Sequence, residues 1–244
     1  MKKIWFFLAL VLVLSACTSG QHPAVSGNPD LLEFPGVSWG SGKDTVLSAL
    51  GIADNQILAD EEVGVTSGRY RMWIVAVSGM DCFGFATQHM VFRFYDYSGA
   101  GFGLGGVDIF FPDTQDMAQV TAALAEQYGE GADAYTLYTA TATGLDAYEI
   151  QLEEGSAWWQ SKPAPSAYLS QEIQDAYVQA VTQQSTSPIP EETAREYLDC
   201  AQLVTLSLTN SAYADLDLTG NPYMSHNMVS FSAAALLEFT QVYG

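Results

Sequence analysis

Apolar positions recur with two periods along this chain, every third or fourth residue in some segments and every second residue in others. A helical spacing at roughly 42–50 predicts a short helix, and Gly51 is well placed to end it. Residues 56–111 alternate and are rich in β-branched and aromatic side chains, which predicts strands, with 99–106 as a glycine-rich turn. Sequential strands with short connections indicate an antiparallel meander.

Helical spacing returns after residue 113 and then gives way to strand patterns. Asp113 and Asp116 mark the start of a helix that Gly129 ends. Residues 233–243 fit a helix or a strand equally well. The other predicted elements are strands at 136–143, 147–152 and 157–160, helices at 167–183 and from Pro190 onward, and strands at 203–208 and 227–231.

This order of elements predicts an α+β fold in which helices pack on an antiparallel sheet, because helices and strands fall into segregated runs. It also divides the chain into two similar units, at 34–130 and 131–244, which form either two domains or one. The two units share no repeat of residues.

The first seventeen residues carry the most specific motif. Two lysines precede an unbroken apolar run at 4–14, which is well under the roughly 20 residues that a membrane-spanning helix needs. This layout is typical of a secretory signal peptide. The run closes with Leu14-Ser15-Ala16-Cys17, which resembles the lipobox of bacterial lipoprotein precursors.

The resemblance implies that residues 1–16 are removed and that Cys17 is acylated. The mature chain would then be anchored by lipid to the extracytoplasmic side of a membrane in the cell envelope. Residues 17–33, rich in Gly, Ser and Pro after the cysteine, read as a flexible tether. The alternative is an ordinary cleaved signal peptide followed by a chance cysteine.

The chain is strongly acidic, with 28 Asp and Glu against eight Lys and Arg and a formal net charge of −20. Such a surface repels nucleic acid and anionic lipid headgroups, so no nucleic-acid partner is expected. It is compatible with cations, with basic partners, or with simple solubility.

Two cysteines remain if Cys17 is acylated, and they allow two interpretations. In the oxidising compartment that an exported chain reaches, Cys82 and Cys200 could form a disulfide. Alternatively they are two separate buried thiols that behave as small hydrophobic residues.

A second resemblance covers about 13 residues. Trp39-Gly40, then Val46, then Leu50-Gly51 is similar to the opening helix of small bacterial lipoprotein modules of the BamE/SmpA type and of their β-lactamase-inhibitor-like relatives. In those modules a short helix precedes an antiparallel sheet, and the modules work by binding other proteins. The resemblance implies the same layout and a binding role.

Three short motifs are better explained by structure than by chemistry. Residues 36–40 spell a G-x-S-x-G elbow, but too little chain precedes them for the strands of a hydrolase sheet. Residues 101–106 spell G-x-G-x-x-G, yet a strand follows where a nucleotide site needs a helix. Residues 215–221 have the spacing of half a calcium loop, but His226 stands where the bidentate carboxylate belongs.

Trp158 and Trp159 are the candidate ligand-stacking residues. Adjacent strand residues face opposite sides, so one ring should lie in the core and the other on the surface or in a groove. The histidines and cysteines show no metal-ligand spacing, and we predict no metal, no cofactor and no catalytic residue.

We therefore expect an exported, lipid-anchored α+β protein that binds an envelope protein. Two alternatives are an extracytoplasmic hydrolase and a lipoprotein that binds a small ligand. A hydrolase requires His89 or His226 beside a carboxylate in a pocket. A ligand binder requires an exposed tryptophan in a cleft, and a protein-binding module requires a flat apolar patch with a polar rim.

Overall fold

The computed structural model describes residues 29–64, 69–161, 168–183, 187–209 and 227–244. The predicted signal peptide, Cys17, most of the tether, the half calcium loop at 215–221 and His226 lie outside these residues. The described residues form an α+β fold, as the segregated order of sequence patterns predicts.

Helices and strands are numbered here in chain order. The helices are α1 (Lys43–Ala49), α2 (Met117–Tyr128), α3 (Gln171–Thr182), α4 (Glu191–Cys200) and α5 (Ala234–Val242). The strands are β1 (Ile57–Val63), β2 (Arg71–Val77), β3 (Asp81–Cys82), β4 (Phe85–Ala86), β5 (His89–Asp96), β6 (Gly103–Phe111), β7 (Ala134–Thr141), β8 (Gly144–Gln151), β9 (Ala157–Gln160), β10 (Thr205–Thr209) and β11 (Asn227–Ser232).

Seven strands form one antiparallel sheet in the order β1-β2-β5-β6-β11-β10-β9. Its first four strands are the meander expected for residues 56–111. Strand β11 pairs with β6, so strands from 34–130 and from 131–244 belong to the same sheet. The hairpins β3–β4 and β7–β8 lie outside it.

Local signals set the ends of two helices as the sequence predicts. Gly51, with φ of +65°, follows α1 in a backbone conformation that favours glycine. Helix α2 begins after Asp116, whose carboxylate accepts the backbone N–H of Ala118 at 3.0 Å. Of the ambiguous residues 233–243, Ala234–Val242 form helix α5.

The glycine-rich segment at 99–106 is only partly a turn, because β6 already begins at Gly103. A Cβ at Gly105 would lie 2.6 Å from a ring carbon of Tyr95, and one at Gly106 would lie 2.7 Å from the guanidinium of Arg93. Glycine in this strand makes room for the side chains of β5. The prediction of a turn was wrong for these positions, since glycine composition does not separate a turn from close packing.

One part of the core lies on the sheet face that carries Phe92. Phe34, ahead of α1, meets Phe92 and Phe231 edge to face, with ring centroids 6.1 and 5.7 Å apart. Tyr128 of α2 packs on Phe231, with ring centroids 5.8 Å apart. Helix α2 therefore lies over the same face.

Helices α3, α4 and α5 form a second layer of packing. Gln241 of α5 accepts the N–H of Tyr97 at 2.8 Å, which fixes α5 across the end of β5. Tyr177 of α3 packs on Phe239 of α5, with centroids 4.8 Å apart. Helix α4 lies between α3 and the hairpin β7–β8, so it supports that hairpin from one side.

Candidate functional site

The paired tryptophans of β9 face opposite sides of the sheet, as expected of adjacent strand residues. Trp159 is a core residue, only 4% exposed, and its Nε1 donates to the carbonyl oxygen of Gly129 at 2.6 Å. Trp158 is half-buried and stacks on Tyr135, with ring centroids 4.3 Å apart and planes inclined by 18°. One face of the Trp158 ring is therefore already covered by a protein side chain.

Tyr135 belongs to the hairpin β7–β8, which stands beside the seven-stranded sheet. Cross-strand pairs run along the hairpin from Ala134 and Gln151 to Thr141 and Gly144. Its base is joined to β9 by two backbone hydrogen bonds between Ala132 and Trp158, at 2.8 and 2.9 Å. The hairpin thus projects from the β9 edge of the fold.

The two faces of the hairpin have different surroundings. Tyr138 faces α4, where its hydroxyl lies beside the thiol of Cys200. Residues two apart in a strand share a face, so Tyr135 and Leu137 lie together on the opposite side. Their cross-strand partners are Ile150 and Tyr148. We call the surface made by Tyr135, Leu137, Tyr148 and Ile150 the hairpin face.

The hairpin face exposes large apolar side chains to solvent. Leu137 is 49% exposed, Tyr148 52% and Ile150 36%. These three account for most of the strongly exposed large apolar residues in the described chain, and the other two are Leu58 and Val242. Single exposed apolar residues are ordinary, but neighbours on one sheet face form a patch of the kind that marks interaction sites.

Strand β8 is unusual because it is exposed on both sides. Every residue from Asp146 to Gln151 is exposed. An isolated two-stranded hairpin is marginally stable in water, so contact with α4 and the stack on Trp158 must hold this one in place. Trp158 of β9 covers the hairpin face at Tyr135, and the face stays exposed at Leu137, Tyr148 and Ile150.

The surroundings of the hairpin face are acidic. The sequence from 130 to 154, which contains the hairpin, has six Asp and Glu and no Lys, Arg or His. Asp146 lies on the hairpin face itself, two residues before Tyr148, and is exposed. Further exposed carboxylates near the base of the hairpin are Glu130, Asp133, Glu153 and Glu154.

A cleft of about 380 Å³ lies at the opposite edge of the sheet, lined by side chains from β1, β2 and β5. Arg71 donates to both carboxylate oxygens of Glu62, at 2.9 and 2.8 Å, and lies 3.6 Å from Asp96. These hydrogen bonds lower the pKa of Glu62. Both charges are thus paired within the cleft, which leaves neither as a free binding group.

Where the structure shifts a pKa, the shift is away from neutrality. Burial raises the pKa of Asp60, but hydrogen bonds from Trp73 and Lys43 outweigh it and the net shift is downward. Burial raises the pKa of the Cys82 thiol and of several tyrosines. None of these shifts moves a group toward the range in which an acid–base catalyst works at neutral pH.

His89 is the histidine that the described part of the chain contains. It is 6% exposed and its ring stacks on Phe110, with centroids 4.4 Å apart. It lines neither the cleft beside Arg71 nor a second one of about 280 Å³ between the start of α2 and Ala157. Ser38 of the G-x-S-x-G motif is exposed in a turn with no strand before it.

The structure places the two candidate disulfide cysteines on different elements, and both are free thiols. Cys82 is buried in β3, and Cys200 is half-buried at the end of α4 beside Tyr138. Of the two interpretations left open by the sequence, this arrangement corresponds to separate thiols. Among the described residues no cluster of three or more His, Cys, Asp and Glu could hold a metal ion.

Comparison with protein-family models, with curated proteins and with solved structures finds no match to this chain. Within the described ranges, no helix combines the length and apolar character needed to cross a membrane.

Sequence reasoning singled out the tryptophans but missed the hairpin face beside them. Part of the signal was present: Leu137 lies in one predicted strand, with Tyr135 just ahead of its start, and Tyr148 and Ile150 alternate in the next. The other side of the same strand carries Tyr138 as well, so alternation could not show which side α4 covers.

Proposed function

We propose that this chain is a lipid-anchored extracytoplasmic protein that binds another protein of the cell envelope through the hairpin face. The observation that carries the proposal is the exposure of Leu137, Tyr148 and Ile150 on one face. On the opposite face of the same hairpin, α4 packs mainly against β7. An apolar central patch with a polar rim is typical of protein interfaces.

The other supports for the proposal come from the sequence. The lipobox ending at Cys17 would place the chain on the outer side of a membrane, and the tether would separate the folded part from the lipid surface. The layout of α1 ahead of an antiparallel sheet is compatible with the resemblance to small lipoprotein modules that bind proteins.

A pull-down from intact membranes tests the proposal with a matched pair of variants. Leu137 and Leu58 are 49% and 47% exposed, but Leu58 lies on β1 at the far edge of the sheet. We expect Leu137→Ser to lose a stoichiometric protein partner and Leu58→Ser to keep it. Equal recovery with both variants would contradict a role for the hairpin face.

The anchor has a separate test. We expect Cys17→Ala to move the protein from the membrane fraction to the soluble fraction, because the lipid on Cys17 would be its membrane anchor. Retention of Cys17→Ala on membranes would show that Cys17 is not the anchor.

A further inference from the structure

We infer that the partner of the hairpin face is cationic: a protein surface in which apolar side chains are flanked by Lys or Arg. This inference rests on the proposed function, and it adds the chemistry of the partner. Apolar contact with Leu137 and Tyr148 supplies the attraction, and the charges around them decide which apolar surfaces can approach.

The first ground is the charge of the segment that builds the hairpin. Residues 130–154 contribute six carboxylates and no cationic side chain. At least one carboxylate, that of Asp146, lies on the hairpin face beside the exposed ring of Tyr148. A partner that buried this face without its own cations would leave that carboxylate desolvated and unpaired, which is costly.

The second ground is helix α4 behind the hairpin. It adds carboxylates, and its one cationic side chain is already paired. The exposed residues Glu196 and Asp199 lie on α4. The one basic residue of α4, Arg195, is in contact with Glu191 at 2.9 Å and with Asp175 at 3.4 Å. The field around the hairpin face is therefore negative from both sides.

The same field argues against the other occupants of an exposed apolar face. A second copy of this chain would bring an equally acidic hairpin against the first, and like charges would repel. An anionic membrane surface would be repelled for the same reason. Carboxylates on an exposed hairpin also protect its strand edges from pairing with copies of the chain.

Binding of three peptides to the full chain tests the inference. One peptide alternates leucine with lysine, and the other two have glutamine or glutamate at the lysine positions. The chain is compared with two charge-matched variants. Asp146→Asn with Glu153→Gln removes two carboxylates at the hairpin, and Asp44→Asn with Glu61→Gln removes two exposed carboxylates on α1 and β1.

We expect the lysine peptide to bind at least about tenfold more tightly than the glutamine peptide, and the glutamate peptide most weakly. The hairpin charge variant should weaken lysine-peptide binding about three- to tenfold and flatten its salt dependence, and the α1–β1 variant should not. If the two charge variants lose the same affinity for the lysine peptide, net charge alone explains the effect and the inference is wrong.

The uncharged peptide separates failure of the inference from failure of the proposed function. If the glutamine peptide binds as tightly as the lysine peptide and Leu137→Ser weakens both, the face binds partners but the cationic requirement is wrong. If Leu137→Ser binds every peptide as tightly as Leu58→Ser does, the hairpin face is not a binding surface. The proposed function and the cationic requirement are then both wrong.

Discussion

Tyr135 and Trp158 lie face to face with ring centroids 4.3 Å apart, and this stack joins the hairpin β7–β8 to the edge strand β9 of the main sheet. A stacked aromatic pair contributes about 0.5–1.5 kcal/mol beyond the area it buries. The position of the exposed face of the hairpin thus depends on a half-buried contact at its base.

Replacement of Tyr135 by alanine should loosen the hairpin without unfolding the sheet. We expect faster amide exchange throughout β7 and β8 and little change in β5 and β6, because the stack is lost while the core is intact. Tyr148→Ala is the control, since that ring is 52% exposed and belongs to the same hairpin face. Equal exchange in the two variants would show that the stack does not hold the hairpin.

The two tryptophans should respond differently to replacement by phenylalanine. Trp159 is buried and its Nε1 donates to the carbonyl oxygen of Gly129, whereas Nε1 of Trp158 is buried and has no hydrogen-bond partner among the described residues. Trp159→Phe leaves the carbonyl of Gly129 without that donor, so it should cost about 2 kcal/mol more in free energy of unfolding than Trp158→Phe. Urea denaturation of both variants measures the difference, and equal losses would contradict the assignment of Trp159 to the core.

A half-buried ion pair on the other sheet face offers a third prediction. Nη2 of Arg93 lies 3.0 Å from Oδ1 of Asp108, which also accepts the hydroxyl of Ser230 at 2.6 Å. Asp108→Asn should lower the free energy of unfolding by about 3 kcal/mol, because it leaves the guanidinium without its countercharge.

The double variant Arg93→Met with Asp108→Leu is the control for this pair. It removes both charges and should recover most of the stability that Asp108→Asn loses. Urea unfolding of the single and double variants provides the comparison. If the double variant is less stable than Asp108→Asn, the ion pair stabilises the fold by more than the free energy that burying its two charges costs.

Much of the fold could be predicted because local patterns set it. Strand β2 occupies Arg71–Val77, where the sequence is rich in apolar β-formers, and α2 ends at Tyr128 directly before Gly129. The order of strands could not be predicted, because the pairing of β11 with β6 joins residues more than a hundred positions apart.

The candidate site was harder to predict than the fold. Trp158 and Trp159 could be assigned to opposite faces from the period of a strand alone. Exposure of the hairpin face depends instead on where α4 packs, and that contact involves Tyr138 and Cys200, which lie far apart in sequence. Apolar side chains on both sides of β7 therefore left the exposed side undetermined.

The thiols give a prediction about pH. Burial and the nearby carboxylates of Asp199 and Glu196 raise the pKa of Cys200, and burial raises that of Cys82. A raised pKa keeps a thiol protonated and slow to react at neutral pH. Alkylation of Cys200 in the native protein should therefore accelerate only above the pH range of an ordinary thiol.

Cys82 should react only after unfolding, because it is 6% exposed. Mass spectrometry of exported protein, denatured and alkylated without reduction, should find both Cys82 and Cys200 modified. Recovery of a peptide pair joined through these two cysteines would contradict the arrangement of separate thiols.

Site-specific photocrosslinking in intact membranes tests the central claim most directly. A photoreactive phenylalanine derivative replaces Tyr148 on the hairpin face or, as a control, Leu58 on β1, and the two positions are 52% and 47% exposed. We predict one discrete protein adduct from position 148 and none from position 58. Lipid adducts at position 148, or the same adducts from both positions, would contradict the proposal that this face binds a protein.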